Sequence, residues 1–285
     1  MKTKLYVITT MSNMHVGSGE YNMGVIDNLV QRDVINAFPN INSSSLKGAL
    51  REFFSSTEND AIVKEIFGSS PKDKKENMKQ GSFRFFEANI LSYPVRSDKA
   101  AYLRAVSHDV INEMLLKIEM FNVQKEELED LVKALKALVE IDVSKGIPIV
   151  LNNQLEGAIV EDFELQATFN NAFDRSNLPL ITKLFGKNVV LLHNDDFSEL
   201  CGPNRLPVVS RNYLESGESK NLWYEEVVPR FTQFYFIVIE DEKNEEMFEE
   251  KLSSSLIQIG GNSSIGYGFS KIQLLSSLNL EIYEN

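Results

Sequence analysis

The apolar residues of this chain change their spacing several times, and the order of those changes restricts the folds open to it. Alternating or continuous apolar runs, typical of strands, occupy residues 2–11, 81–95, 147–169, 188–193, 232–239 and 272–282. Apolar stripes at helical spacing occupy residues 43–70, 107–139, 179–185 and 245–259. Strand, helix, strands, helices, strands, helix and strand in that order predict an α+β fold in which helices cover an antiparallel sheet.

Composition narrows the class of protein. At 285 residues with 43% hydrophobic side chains, the chain has enough apolar surface for a globular core. The single cysteine, Cys201, excludes an internal disulfide and a cysteine-rich zinc site, so we expect a reducing, cytoplasmic setting. No apolar run approaches 18 residues and the N-terminus is too polar for a signal peptide, so we expect no membrane association.

The net charge of −12 argues against a nucleic-acid-binding protein, because phosphate recognition usually needs a basic excess. The acidic residues are unevenly distributed, however. Residues 1–54 carry five cations and four anions, whereas residues 240–250 carry seven anions and Lys243 alone. An acidic face opposite a near-neutral one is compatible with RNA binding and opposes nonspecific contacts.

A helix start follows the turn residues Pro39–Asn42. Ser43, Ser44 and Ser45 offer N-cap hydroxyls, and Lys47 and Arg51 lie one turn apart on one helix face. Free amides, hydroxyls and cations at a helix N-terminus are suited to binding an anion such as phosphate. The alternative is an ordinary capped surface helix.

Two further residues before this helix are candidates for chemistry. His15 follows the first predicted strand and is flanked by Gly17 and Gly19, although a lone histidine is more often structural. Asp27 lies within an apolar run, where a buried carboxylate needs a partner. A structural explanation would require a salt bridge to Arg32 or an Asx turn with Asn28.

Taken in order, these motifs resemble the N-terminal signature of the RAMP superfamily of CRISPR RNA-binding proteins. The motifs are His-x-Gly-x-Gly from His15, the apolar-Asp pair at Asp27, Arg32 before Asp33, and Ser-Leu-Lys-Gly-x-Leu-Arg from Ser45. Later segments resemble the repeated backbone subunit of the type III-B (Cmr) effector complex, namely residues 92–97, 195–197, 222–229 and 259–268. The matches extend over nearly the whole chain.

The resemblance implies a single RAMP domain over residues 1–285, with a modified RNA-recognition-motif (ferredoxin-like) palm. It implies helical insertions at about 55–100 and 107–190. A projecting β-hairpin, the thumb, crosses the guide RNA in this family. Strand-like ends around a polar tip predict that hairpin at 205–223, although residues 147–169 are an alternative.

The family match also implies the site residues. Asp27 matches the catalytic aspartate and is the candidate ligand of a divalent metal, Mg or Mn. His15 and one of Glu225 and Glu226 would assist, since neighbouring strand residues point to opposite faces. The glycine loop, residues 260–268, comes too late in the chain to be a dinucleotide fingerprint. RAMP proteins use such loops to bring backbone amides near phosphates. The RNA-binding candidates are Arg32, Ser43, Ser44, Ser45, Lys47, Arg51, Arg96, Arg211, Gly260, Gly261, Gly266 and Gly268.

From the residues alone, a salt bridge with an acidic partner is the favoured role for Arg96, with phosphate binding as the alternative. The implied function is a backbone subunit that binds guide RNA and cleaves the paired target RNA at regular intervals. Its partners would be guide RNA, target RNA, further copies stacked head to tail and other Cmr subunits. A non-catalytic guide-RNA scaffold is the alternative, and an enzyme unrelated to nucleic acid is a third hypothesis.

Overall fold

The computed structural model describes residues 1–19, 24–70, 78–124, 126–162 and 166–278. Most of the polar segment 71–80, residues 163–165 of the predicted strand region 147–169, and the end of the last predicted strand lie outside these ranges. None of the helices in the described part combines the length and the apolar composition of a membrane span.

A large mixed sheet forms the centre of the molecule. Its strands are β1 Lys2–Thr10, β2 Asn40–Ile41, β3 Arg84–Phe85, β4 Ala88–Val95, β5 Leu103–Ser107, β6 Ile149–Val150, β7 Thr168–Phe169, β8 Val189–Leu192, β11 Gln233–Glu240, β12 Leu256–Gln258 and β13 Phe269–Leu274. In spatial order the main strands run β12-β13-β1-β11-β4-β5-β8-β6-β7, and the short strands β2 and β3 pair with β4 and β11.

Helices cover this sheet. They are α1 Ser43–Thr57, α2 Asp60–Phe67, α3 His108–Met120, α4 Glu129–Val139, α5 Leu178–Phe185, α6 Asn194–Cys201 and α7 Glu245–Ser254. The helical stripes predicted from the sequence face the core, as α4 shows with its buried Leu131, Leu135 and Leu138. Aromatic rings join α1, α2 and α7 to β1, with Phe54 stacked on Phe248 at 5.2 Å.

The sheet departs from the expected antiparallel arrangement in two places. β5 pairs parallel with β8, and β6 pairs parallel with β7. The chain between β5 and β8 contains α3, α4 and α5, which provide the long crossover that a parallel pair needs. The regions predicted as insertions therefore also supply sheet strands, since β4 lies between β11 and β5.

Two other predictions need correction. Residues 147–169 form only two-residue strands, so this region is mostly irregular where it is described. The helix predicted over 245–259 ends at Ser254, and β12 begins at Leu256. The Ser253 and Ser254 hydroxyls bond to helix carbonyls, and serine competes for backbone partners in a way that favours helix ends.

The predicted hairpin exists, shifted along the chain. β9 Val208–Glu215 and β10 Glu218–Glu226 pair with each other in a two-stranded sheet that is separate from the main sheet. Ser216 and Gly217 have φ of 53° and 84°, as a two-residue type I′ turn requires. Most of the hairpin is exposed, and only its end at Glu225 and Glu226 is buried. The hairpin base, defined here as residues 223–228, is therefore its anchored part.

Candidate functional site at the hairpin base

Two segments from the N-terminal region meet the hairpin base. Met14 and Val228 exchange backbone hydrogen bonds of 2.8 Å, and the Gln31 amide donates to the Val16 carbonyl at 2.8 Å. The chain around Asn28 runs parallel to β10 beside Glu225. Residues far apart in sequence thus form one small layer that holds both His15 and Asp27.

Asp27 is exposed at the edge of this layer. Its Oδ2 accepts a 2.7 Å hydrogen bond from the Tyr224 amide, and its own amide donates to the Tyr224 carbonyl at 3.1 Å. Neither the salt bridge to Arg32 nor the Asx turn considered from the sequence forms. The carboxylate instead keeps its cost low by remaining in solvent. Within the described residues, Oδ1 accepts no hydrogen bond, so it is available to an incoming donor.

Glu225 is a buried carboxylate, 5% exposed, that joins four side chains. Its Oε1 accepts from Trp223 at 2.8 Å and Asn28 at 3.3 Å, and its Oε2 accepts from Asn262 at 2.9 Å and Arg211 at 3.2 Å. Four donors compensate the desolvation of the charge. Glu225 therefore connects the hairpin, the Asp27 segment and the glycine loop.

Glu226 is fully buried on the other face of β10. One carboxylate oxygen accepts from Arg32 at 2.5 Å and the other accepts from the Val30 amide at 3.1 Å. Arg32 also donates to the carbonyls of Ala37 and Cys201, both at 2.9 Å. Protein covers both faces of the strand here, so neither glutamate is exposed in this structure, and a role for either of them toward RNA stays a prediction.

His15 is buried against the hairpin base. Its Nδ1 lies 2.8 Å from the Glu226 carbonyl oxygen, which can only accept, so Nδ1 carries the hydrogen. In the neutral ring Nε2 is then the acceptor. A Cβ at Gly17 would lie 3.2 Å from Nε2, so the glycine next to this histidine leaves room for the ring.

The glycine loop packs on the backbone of the His15 segment. A Cβ at Gly260, whose φ is +90°, would lie 2.4 Å from the His15 carbonyl oxygen. The amides of Gly261, Gly266 and Gly268 donate to the carbonyls of His15, Ser263 and Asn13. These amides are therefore not free for phosphate, contrary to the reason for which the loop was selected. Gly260 and Gly268 instead permit close packing.

The start of α1 differs in detail from the prediction. The N-cap is Asn42, without a side-chain capping bond, and Ser43, Ser44 and Ser45 form the first helical turn. No acidic side chain lies in that turn, and Ser45 accepts a hydrogen bond from Gln31 at 2.9 Å. A groove of about 740 Å³ separates this helix start from Gly260. The helix start thus keeps the open amides of an anion site.

Several of the basic candidates are used within the protein. Arg96 pairs with Glu161 at 2.7 Å, which is the structural alternative considered from the sequence. Arg211 pairs with Glu225 and lies over the Trp223 and Tyr267 rings, and the partly buried Arg32 pairs with Glu226. The Arg51 guanidinium donates to the Ser69 carbonyl at 3.2 Å. Lys47 alone among these five forms no ion pair or hydrogen bond with the described residues.

The described residues contain no cluster of three or more His, Cys, Asp or Glu side chains able to hold a metal ion. Glu225 and Glu226 are occupied by arginine and amide donors, so among the described residues neither is free to share a cation with Asp27. The described residues at this site do not by themselves fit a divalent ion. The metal stays a prediction from the family resemblance.

Sequence reasoning missed the residues that bind the glutamates. Asn262 lies in the glycine motif but was not selected, and its φ of 63° places its amide against Glu225. Trp223 and Asn28 lie beside selected residues and donate to the same carboxylate. Their position within or beside the matched motifs was the only signal in the sequence that could have identified them.

The chain resembles known proteins over most of its length. The sequence profile of the RAMP superfamily matches residues 7–271, and the chain belongs to that superfamily. It is homologous to the CRISPR system Cmr endoribonuclease Cmr4 of Pyrococcus furiosus, with 29% identity over 98% of each chain.

Solved structures show the same architecture. A chain of the type III-B Cmr-beta complex in its apo state superposes with a TM-score of 0.79 at 21% identity, over 97% of this chain and 98% of that one. The Cmr-beta complex bound to cognate target RNA gives a TM-score of 0.76 at 21% identity, over 96% and 98% of the two chains. The large mixed sheet with its helices is thus the fold of these proteins.

Proposed function

We propose that this chain is the repeated backbone subunit of a type III-B CRISPR effector complex, which binds guide RNA and cleaves the paired target RNA. Homology to the Cmr4 endoribonuclease over nearly the whole length supports the assignment. The observation that carries the catalytic part is the exposed Asp27 carboxylate, which the hairpin base holds by one oxygen while the other has no partner in the described structure.

Asp27 would act as the general base. Its Oδ1 accepts the proton of a target 2′-hydroxyl, and the 2′-oxygen then forms a bond to the adjacent phosphorus. The bond from phosphorus to the 5′-oxygen breaks, and that oxygen takes a proton from water. The products are a 2′,3′-cyclic phosphate and a 5′-hydroxyl. No step here is assigned to a metal ion.

The remaining candidates would position Asp27. Glu225 holds Trp223 and Asn28 on either side of it, and Glu226 fixes the Val30 amide in the same segment. His15 bonds to the backbone of Glu226 and so holds the layer from the other side. These residues control where the Asp27 carboxylate lies, which matters because misplacement by about 1 Å is enough to slow catalysis strongly.

Guide RNA would contact the helix start of α1. Open amides in the Ser43–Ser45 turn and the unpaired Lys47 supply the positive end of a helix and a cation. We assign the main sheet to the RNA-recognition-motif palm and the β9–β10 hairpin to the thumb that crosses the guide. Further copies would stack head to tail by a heterologous contact, together with other Cmr subunits.

The scaffold alternative has one observation in its favour. Asp27 already has a structural role, since it accepts from the Tyr224 amide, and a non-catalytic subunit would need it for that alone. The substitution Asp27→Asn separates the two functions. An asparagine oxygen still accepts from the Tyr224 amide, but the side chain cannot take a proton.

We expect Asp27→Asn in the assembled complex to reduce target cleavage at least ~10²-fold, with guide binding and assembly unchanged. The measurement is the single-turnover cutting rate of a labelled target RNA paired to the guide. Asp27→Ala should be equally inactive. A target with a 2′-deoxy nucleotide at one cut position is the matched control, and it should block that position alone. If Asp27→Asn cuts at the wild-type rate, Asp27 is not the general base, and the scaffold function takes the place of the catalytic one.

A further inference from the structure

A second groove lies beside the hairpin base and is built from other residues. It has a volume of about 790 Å³ and is formed by the ends of β4 and β5, the segment after α6 and residues 229–231. Its apolar wall contains prolines and aromatic rings, and its exposed cations are arginines. The wall and its positive charge are formed by Pro94, Tyr102, Arg205, Pro207, Arg230 and Phe231.

The aromatic rings form a stacked platform. Tyr102 and Phe231 lie with centroids 4.8 Å apart and ring planes 10° from parallel, and the Arg230 guanidinium lies 5.3 Å from the Phe231 centroid. The Phe231 backbone has φ of +73°, an uncommon conformation for a bulky residue. Its amide donates to the Thr10 carbonyl at 2.6 Å, and Arg104 donates to its carbonyl at 2.6 Å. The surrounding backbone therefore holds this ring in place despite the strain.

The groove carries positive charge that the protein does not neutralise. Arg205 and Arg230 are exposed and form no ion pair with any described residue. The two lining carboxylates are partnered, because Glu161 accepts from Arg96 and Glu199 lies 3.9 Å from Lys145. In a chain with a net charge of −12, two unpaired arginines beside a stacking platform favour a phosphate-bearing ligand.

We propose that this groove binds one nucleotide of single-stranded RNA. The base packs against Tyr102, Phe231 and the adjoining prolines, and its phosphates bind Arg205 and Arg230. Unpaired bases are recognised in this way by aromatic and arginine side chains, whereas stacked A-form RNA hides its base faces. The inference rests on the proposed function, since it assumes that the chain binds RNA, and it adds a site separate from α1 and Asp27.

The test uses the full chain and a single-stranded RNA carrying 5-iodouridine, compared across two matched double variants. Arg205→Gln with Arg230→Gln removes both groove cations. Arg84→Gln with Lys136→Gln removes two exposed cations elsewhere and is the control. We expect the groove variant to bind more weakly and to lose about 1.4 from the slope of log K against log salt, at roughly 0.7 per phosphate contact. The control should match wild type.

Photocrosslinking locates the base independently of charge. Irradiated wild-type complexes should yield a cross-linked peptide containing Tyr102 or Phe231, and the groove variant should lose it. Equal slopes for the two variants, or cross-links only at other peptides, would overturn the inference while leaving RNA binding intact. Protection of this groove by a second copy in RNA-free protein would overturn it as well, since the occupant would then be protein. Failure of wild type to bind RNA at all would instead refute the proposed function.

Discussion

The two ends of the β9–β10 hairpin differ in burial and in hydrogen bonding. At its base, Glu225 and Glu226 are almost completely buried and every carboxylate oxygen has a donor. Toward its tip, Tyr213, Leu214 and Leu222 are 53–60% exposed. The base is thus a polar network locked into the protein, whereas the strands toward the polar tip expose apolar side chains that the described residues leave largely uncovered.

This difference indicates that the base positions the Asp27 segment and that the strands toward the tip contact a partner. A satisfied buried network fixes the Asp27 segment, since any displacement would leave charges without partners. Exposed apolar side chains on a two-stranded ribbon contribute little to the folded monomer and gain stability only when a partner covers them. We therefore expect substitutions at the base to destabilise the folded chain or to displace the Asp27 segment. Substitutions toward the tip should instead affect assembly.

The largest expected effect comes from breaking the Glu226 pair. Glu226→Ala leaves the partly buried Arg32 without its anion, and we expect a loss of about 3–5 kcal/mol in the free energy of unfolding. Urea denaturation followed by tryptophan fluorescence measures it. Glu218→Ala, which breaks the exposed pair with Lys220 near the tip, is the control and should cost less than about 1 kcal/mol. Equal losses would erase the contrast between base and tip.

A second buried glutamate sharpens the comparison through pH. Glu240 is also fully buried, but burial raises its pKa to about 7 despite the Tyr6 hydroxyl and the nearby Lys4. The folded state therefore holds its proton more tightly than the unfolded state. Stability from this group is complete below the unfolded pKa of about 4.5 and falls as pH rises through 7.

We expect that loss to be on the order of 2–3 kcal/mol between pH 4.5 and 8, measured as the denaturation midpoint at each pH. Glu240→Gln should flatten this part of the profile. A profile that is unchanged by Glu240→Gln would contradict the assignment.

The smallest expected difference is between substitutions at two glycines that share the left-handed backbone conformation. Gly217 at the tip and Gly260 beside the base both have positive φ, of 84° and 90°. A Cβ at Gly217 meets nothing within 4 Å, so Gly217→Ala should cost only the strain of the left-handed region, about 1–2 kcal/mol. Gly260→Ala adds a collision with the His15 carbonyl and should cost about 1–3 kcal/mol more. Thermal denaturation of the two variants tests this, and equal shifts would show that the His15 segment yields easily.

Some of the residues selected from the sequence meet in the structure, and the signals that selected them are local. His15 ahead of two glycines and Asp27 in an apolar run are short motifs, and both lie against the hairpin base. The hairpin was also predictable, since a polar tip between apolar runs is a property of neighbouring residues. Its boundaries were not, because β10 extends to Glu226 through contacts with residues 27–30.

The tertiary structure decided the roles of the charged residues. Strand alternation alone implied that one of Glu225 and Glu226 faces outward, but that argument assumes that one face of the strand is open. Asn262 covers one face and Arg32 the other, and both come from distant parts of the chain. Three of the four arginines selected for RNA likewise pair with carboxylates of other segments, namely Arg32, Arg96 and Arg211.

By itself, then, the sequence determined the α+β class, the N-terminal motifs and the presence of a hairpin, since hydrophobic period and turn chemistry act over a few residues. Only the tertiary structure decided that the glycine loop packs on His15, that both glutamates are buried, and that Asp27 remains exposed. The physical reason is that burial and charge pairing depend on which distant segments meet, and those meetings are set by the packing of the whole sheet.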